Sequence, residues 1–160
     1  MDSTTNPAGT DGFEFVEYTS ENPQALGSLF EAMGFRAVAR HRSKNVWRYA
    51  QGDINFLLNM DSIGQAATFR RAHGSSINAM GFRVKDSRAA LKAVLERGAK
   101  ESRRIVGPME LNIPAIEGIG GSQIYLVDRY GAQNIYDVDF VPMETPRSTL
   151  PAPDVGLTYI

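Results

Sequence analysis

The chain has no cysteine. Disulfides, thiolate nucleophiles and cysteine-bound metals are therefore excluded. Histidine is nearly as scarce: His41 and His73 are the only two. An iron site of two histidines and one carboxylate would have to use both. An excess of one charge is also missing, since 17 Lys and Arg face 18 Asp and Glu for a net charge of −1. That balance predicts no nucleic-acid partner and no anionic-membrane binding by bulk electrostatics. No run of about 18 apolar residues occurs, so no membrane span is expected. Residues 1–12 are polar rather than a charged stretch leading into an apolar one, so no secretory leader is expected either. The expected location is the cytoplasm. HExxH and nucleophile-elbow serine motifs are missing as well.

What is there suits an ordinary soluble core. With 160 residues, 42% apolar and 22% charged, the chain is one domain or two small modules sharing a core. Folding at this size buries about 70% of the unfolded surface, so no staple is needed. Residues 1–11 hold Ser, Thr, Asn, Pro, Gly and Asp without apolar period and are expected as a disordered tail. Phe13 to Tyr18 reads as a strand. Asn22-Pro23 opens a helix, with Asn22 as cap and Pro23 at a position where its missing N–H costs nothing. Leu26, Leu29, Phe30 and Met33 form its apolar stripe, and Gly34 ends it. Phe35 to Arg40, Val46 to Ala50 and Ile54 to Asn59 read as strands. Ile63 to Ala72 reads as a short helix anchored by Phe69.

The pattern then restarts. Ile77 to Val84 is a strand, and Asp86 or Ser87 caps a helix with Ala90, Leu91, Val94 and Leu95 inward. Gly98 ends that helix 64 positions after Gly34. Strand, capped helix and terminal glycine thus recur, which predicts an α+β fold of two tandem βαβββ modules. Helices on one face of a mixed sheet would leave the other face to curve into a cup. Ile124 to Val127 is long enough for a buried strand, and Asp128 to Gln133 carries turn residues around Gly131. Ile135 to Phe140 alternates, with Tyr136, Val138 and Phe140 on one side and Asp137 and Asp139 on the other. That predicts a hairpin with one wet face.

Few side chains suggest chemistry. His41 and His73 read as surface or capping histidines. Asp137 and Asp139 read as a solvated edge rather than an acid–base pair. Gly118-Ile-Gly-Gly121 lacks the Lys-Ser/Thr and helix of a phosphate loop and reads as a turn or bulge. Arg70-Arg71 and Arg103-Arg104 read as solvated basic pairs, and Trp47 as core or interface rather than a ligand-stacking ring.

Long ordered strings carry a resemblance. Pro108-Met-Glu-Leu-Asn-Ile-Pro-Ala-Ile-Glu-Gly-Ile-Gly-Gly121, Ile124-Tyr-Leu-Val-Asp-Arg-Tyr-Gly131 and Ile135-Tyr-Asp-Val-Asp-Phe140 resemble the N-terminal half of bacterial 4-hydroxyphenylpyruvate dioxygenases. His41-Arg-Ser-Lys-Asn-Val46, Gln51-Gly-Asp-Ile-Asn55 and Gly81-Phe-Arg-Val-Lys-Asp-Ser87 add to it. The resemblance covers about residues 12–141 and implies a vicinal-oxygen-chelate fold, glyoxalase-like, with two modules per domain. It implies a parent enzyme that uses Fe(II) and O2 to convert 4-hydroxyphenylpyruvate to homogentisate and CO2 in tyrosine degradation. The family's iron ligands belong to a C-terminal domain, so no catalytic, cofactor-binding or metal residue is expected here. Positions equivalent to those ligands fall near Phe15, Ala79 and Asp137, and only the last could bind a cation. The expected cup is metal-free, and the chain alone is expected to be inactive.

Boundaries follow from composition. Residues 12–141 are expected to form the paired-module domain. Residues 142–154, rich in proline, read as a linker. Residues 155–160 read as the truncated first strand of a missing C-terminal domain, the expected partner together with other copies in a homo-oligomer. Three readings stay open beside this one: a stand-alone glyoxalase-like protein binding a metal or a small molecule, a hydroxymandelate synthase fragment, and a pure oligomerisation domain. The strings favour the dioxygenase.

Overall fold

The computed structural model describes residues 5–102, 107, 109–143 and 157. Its elements run β1 (Thr10–Thr19), α1 (Pro23–Ala32), β2 (Arg36–His41), β3 (Val46–Gln51), β4 (Ile54–Asn59) and α2 (Gly64–His73). Then come β5 (Ser76–Val84), α3 (Ser87–Leu95), β6 (Ala115–Glu117), β7 (Gln123–Val127), α4 (Ile135–Asp139) and β8 (Phe140–Pro142).

One mixed sheet of eight strands has the order β6-β7-β5-β1-β4-β3-β2-β8. β1 and β5 meet antiparallel at its centre. On either side the next strand is parallel: β4 beside β1 and β7 beside β5. A parallel pair needs a crossover, and α1 and α3 lie in those crossovers. They start 64 residues apart, at Pro23 and Ser87, so the duplication seen in sequence is a duplication of topology.

Local chemistry sets the helix ends. Asn22 Oδ1 accepts from Ala25 N at 3.1 Å. Asp86 Oδ1 accepts from Arg88 N and Ala89 N, both at 2.9 Å. These bonds satisfy amides that have no intrahelical partner. Gly34 and Gly98 both take φ of 93° after their helices, a backbone open to glycine without strain.

Strand alternation sorts the side chains onto two faces. Val16, Tyr49, Phe56 and Leu58 pack with Phe30 and Phe35 under α1. Phe35 stacks on Phe56 with ring centres 4.2 Å apart. Each such burial contributes about 2–3 kcal/mol. Val84 and Leu126 pack with Ala90 under α3. The opposite face presents Phe15, Val46, Leu57, Ala79, Ala115, Tyr125 and Val127.

Several expectations need correction. Ile135 to Phe140 is not a strand: Ile135–Asp139 is a short helix, and only Phe140 continues into β8, which pairs with β2. Asn134 explains this. Its Oδ1 accepts from Tyr136 N and Asp137 N, and the Asp137 carboxylate accepts back from Asn134 N. That capping box starts a helix, and it buries the adjacent residues Ile135 and Tyr136 together. β7 therefore has β6, not 135–140, as its antiparallel neighbour. α4 also lies on the face opposite α1, so the helices do not all share one side.

Part of the expected tail is ordered, since β1 starts at Thr10 and Asn6 Oδ1 accepts from Thr10 N at 2.9 Å. Leu29 of α1 and Met33 just after it are exposed, leaving Phe30, Gly27 and the half-buried Leu26 to face the sheet. In α2 the buried residues are Ala66 and Ala67 rather than Phe69. Of the expected linker, Pro142 belongs to β8; residues 144–154, the expected strand at 155–160 apart from Leu157, and Arg103-Arg104 lie outside the described residues.

Candidate functional site

Opposite α1 and α3 the sheet encloses a cavity of about 340 Å³. α4 fills part of that face, and α2 brings Gly64, Gln65 and Ala66 to the cavity rim. Phe15, Val46, Leu57, Ile113, Tyr125 and Phe140 give it apolar walls.

The polar end is built from five elements. Glu17 of β1 is buried, and its Oε1 accepts from Asn59 Nδ2 at 2.9 Å and Asn78 Nδ2 at 2.7 Å. Asn78 Nδ2 also donates to Gln65 Oε1 at 3.0 Å. Gln123 of β7 accepts from the Tyr125 hydroxyl at 2.9 Å and donates to Ser102 Oγ at 2.7 Å. A buried carboxylate is tolerated when amide donors replace its water.

The other end is ionic. Lys44 Nζ lies 2.9 Å from Glu110 Oε2, and Ser43 Oγ donates to Glu110 Oε1. Burial raises the Glu110 pKa, but the Ser43 hydroxyl, the Lys44 ammonium and Gly107 N–H outweigh it and bring it down to about 2. His41 sits at this rim. Its Nδ1 accepts from Ser43 N and Lys44 N, both at 3.2 Å. Burial and the Lys44 charge lower its pKa, against the opposing pull of Asp139, Glu110 and Asp61. Asp139 is buried and accepts from Leu111 N at 3.1 Å.

The sequence candidates separate. His41 lines the cavity, whereas His73, at the end of α2, donates from Nε2 to Gly120 O at 2.9 Å. The Gly118–Gly121 segment holds a short 3-10 turn. Its carbonyls at Gly120 and Gly121 accept from His73 and Gln65; it is a turn and not a phosphate cradle. Trp47 packs in the core under α1. Arg70 is not solvated, for it donates to Thr19 Oγ1 and to Asp61 O. Arg71 is exposed and donates to Thr68. Asp137 and Asp139 do not share a face: the first is exposed in the capping box and the second is buried.

Phe15 and Ala79 lie on the cavity face, but Asp137 is on the outer side of α4 and does not converge with them. Among the described residues no group of three or more His, Asp and Glu side chains could hold a metal ion. The donor set does not fit an iron centre: two of the three equivalent positions carry hydrocarbon side chains, and the carboxylate points elsewhere. Glu17, Gln65, Asn78 and Gln123 went unnoticed in the sequence. Their signal was a polar side chain inside an otherwise apolar strand or helix.

Paired modules around a shared sheet, with a cavity opposite the crossover helices, define a vicinal-oxygen-chelate, glyoxalase-like protein. Residues 4–141 match the family model for the N-terminal domain of hydroxyphenylpyruvate dioxygenase, and the chain belongs to that family. It is 52% identical to hemolysin VllY of Vibrio vulnificus over 163 residues, covering all of this chain and 46% of that protein. It is 52% identical to a 4-hydroxyphenylpyruvate dioxygenase of Pseudomonas sp. strain P.J. 874 over 140 residues, 87% of this chain and 39% of the enzyme. The structure of a xylose isomerase-like TIM barrel/4-hydroxyphenylpyruvate dioxygenase fusion protein superposes with a TM-score of 0.74 at 38% identity, over 86% of this chain and 22% of the fusion. The chain thus spans less than half the length of these relatives. Among the described residues no helix is long and apolar enough to cross a membrane.

Proposed function

We propose that this chain is the non-catalytic N-terminal half of a 4-hydroxyphenylpyruvate dioxygenase. The parent reaction joins 4-hydroxyphenylpyruvate and O2 to give homogentisate and CO2, a step of tyrosine breakdown in the cytoplasm. The observation that carries the non-catalytic role is the donor set. Phe15 and Ala79 cannot bind a cation, and Asp137 is committed to the α4 capping box. The iron is held by the remainder of the enzyme, whose fold repeats this one. This half supplies packing surface for that remainder and for other copies in a homo-oligomer. The share of the relatives' length left unmatched supports such a remainder.

The test is oxygen uptake by the purified chain with ferrous salt and 4-hydroxyphenylpyruvate. No uptake above the protein-free control is expected, and no iron, zinc or manganese at one equivalent. Turnover by this chain alone, or a tightly held equivalent lost in Asp137→Asn, would overturn the reading.

A further inference from the structure

On the helix side of the sheet the two modules meet along a seam. β1 and β5 lie side by side there, and their register sets Phe13 beside Phe82, Val16 beside Met80 and Tyr18 beside Ile77. Partners across an antiparallel pair share a face. Val16 and Tyr18 pack under α1, and Val84, two positions beyond Phe82, packs under α3, so the shared face is the helix side. Of these six only Val16 is buried; Phe13, Tyr18, Met80 and Phe82 are half-buried, and Ile77 is 39% exposed. An apolar groove therefore runs along the junction, flanked by α1 and α3.

The two flanks differ in bulk. Gly27 lies against Tyr49 of β3 and Leu58 of β4, which turns the opposite side of α1, with Leu29, toward the groove. Leu29 is 53% exposed, and Met33, four positions on, is 37% exposed. Ser87 is held by Asp128 at the end of β7, which turns Ala89 and Ala93 of α3 toward the groove from the other side. Ala93 follows Leu29 by the same 64 residues that separate the two helix starts. One helix thus carries a large side chain where its counterpart carries a methyl group.

Such a surface is complementary to itself. A two-fold axis along the seam sets α1 of one copy antiparallel against α3 of the other, twice over, with the apolar seams facing. The charges match too: residues 21–34 hold Glu21 and Glu31 and no Lys or Arg, whereas residues 87–97 hold Arg88, Lys92 and Arg97 against Glu96. The antiparallel setting brings the exposed Glu21 to the end of α3 where the exposed Arg97 lies.

We infer that the helix side of this chain is a two-fold interface with a second copy, in which Leu29 packs on Ala89 and Ala93 of the partner subunit. This interface rests on the homo-oligomer proposed above and gives it a surface.

Sedimentation of the 160-residue chain over about 1–300 µM tests it, with a dimer expected at the upper end of that range. Leu29→Glu buries an unpaired carboxylate in the contact and is expected to weaken the dimer at least about tenfold. Ala93→Glu fills the hollow and is expected to do the same; thermal melting shows which of the two variants fold. Glu21→Arg is expected to weaken the dimer at least about threefold at low salt, and Arg97→Glu added in the same chain to restore it. A chain monomeric throughout overturns the interface and leaves the seam to the unmatched remainder of the enzyme. A dimer indifferent to whichever of Leu29→Glu and Ala93→Glu folds also overturns it, while the homo-oligomer reading then stands on another surface. A charge swap that does not restore association overturns the pairing of α1 with α3.

Discussion

The guanidinium carbon of Arg48 lies 3.8 Å from the centre of the Tyr136 ring. Arg48 projects from β3 and Tyr136 from α4, so this contact clamps the short helix onto the sheet. Arg48 Nε donates to Asn55 Oδ1 at 2.9 Å, and the Tyr136 hydroxyl donates to Glu14 O at 3.4 Å. Burial lowers the Arg48 pKa and pushes that of Tyr136 well up. One helical turn cannot hold itself together in water; α4 stands because this buried contact and its capping box hold it. The clamp closes one side of the cavity face and leaves the other open.

Replacing Arg48 with Met keeps the bulk and removes the charge. The ring then loses its cation, and Asn55 Oδ1 loses its donor. Together these are expected to cost about 2–3 kcal/mol in urea unfolding. Tyr136→Phe removes only one long hydrogen bond and is expected to cost about 0.5–1 kcal/mol. The reverse order of the two effects would show that the hydroxyl, not the ring face, is the anchor.

Much of this fold was legible because its signals are local. Asn22-Pro23 and Asp86-Ser87 announce helix starts through backbone chemistry, and Gly34 and Gly98 announce helix ends. α4 was misread for a physical reason. Ile135-Tyr-Asp-Val-Asp-Phe140 alternates with period two, and five residues are too few to display a helical period. The legible clue was Asn134 with Asp137 three positions later, a capping box. Cavity residues were hidden differently. Glu17, Asn59, Gln65, Asn78 and Gln123 come from β1, β4, α2, β5 and β7, and only strand register brings them together. Sequence did place Phe15 and Ala79 on that face, but through the family resemblance rather than through periodicity.

Gly81 lies under the Phe15 ring. A Cβ there would meet Phe15 Cε1 at 2.5 Å and Cδ1 at 2.7 Å. Phe15 is buried among Tyr125 and Leu57, so its ring can yield only toward the cavity. Gly81→Ala is expected to cost about 1–3 kcal/mol. In the Phe15→Leu background the same change is expected to cost at least about 1 kcal/mol less. Additive losses in this double-mutant cycle would place the strain elsewhere.

His41 makes stability depend on pH near neutrality. Its folded pKa lies below the ordinary value of 6.5. The unfolded chain therefore binds the proton first, and stability falls as pH drops from 6.5 toward the folded value. His41→Gln is expected to flatten that slope in melting temperatures measured between pH 7.5 and pH 5. An unchanged slope would assign it to other groups.

Glu110 acts lower down. Its carboxyl is brought from 4.5 down to about 2 in the fold. The stabilisation is present above the unfolded pKa and is lost as pH falls from 4.5 through about 2. Glu110→Gln is expected to be less stable than the parent chain at pH 7 and to approach it at pH 2. A stability gap that stays constant over that range would mean the loss is one of packing rather than of charge.

Asn134 provides the cheapest way to loosen α4 without touching the core. It bonds the amides of Tyr136 and Asp137 at 2.9 and 3.1 Å, and its own N–H is met by Asp137 at 3.3 Å. Asn134→Ala removes the first two bonds and is expected to cost about 0.5–2 kcal/mol. Its effect should be local. Amide exchange should rise across 135–139, while the amides of β1 and β5, paired at the centre of the sheet, stay protected. Faster exchange at the centre by the same factor would show that α4 unfolds only with the whole domain, and that the clamp of Arg48 on Tyr136 is part of one cooperative unit.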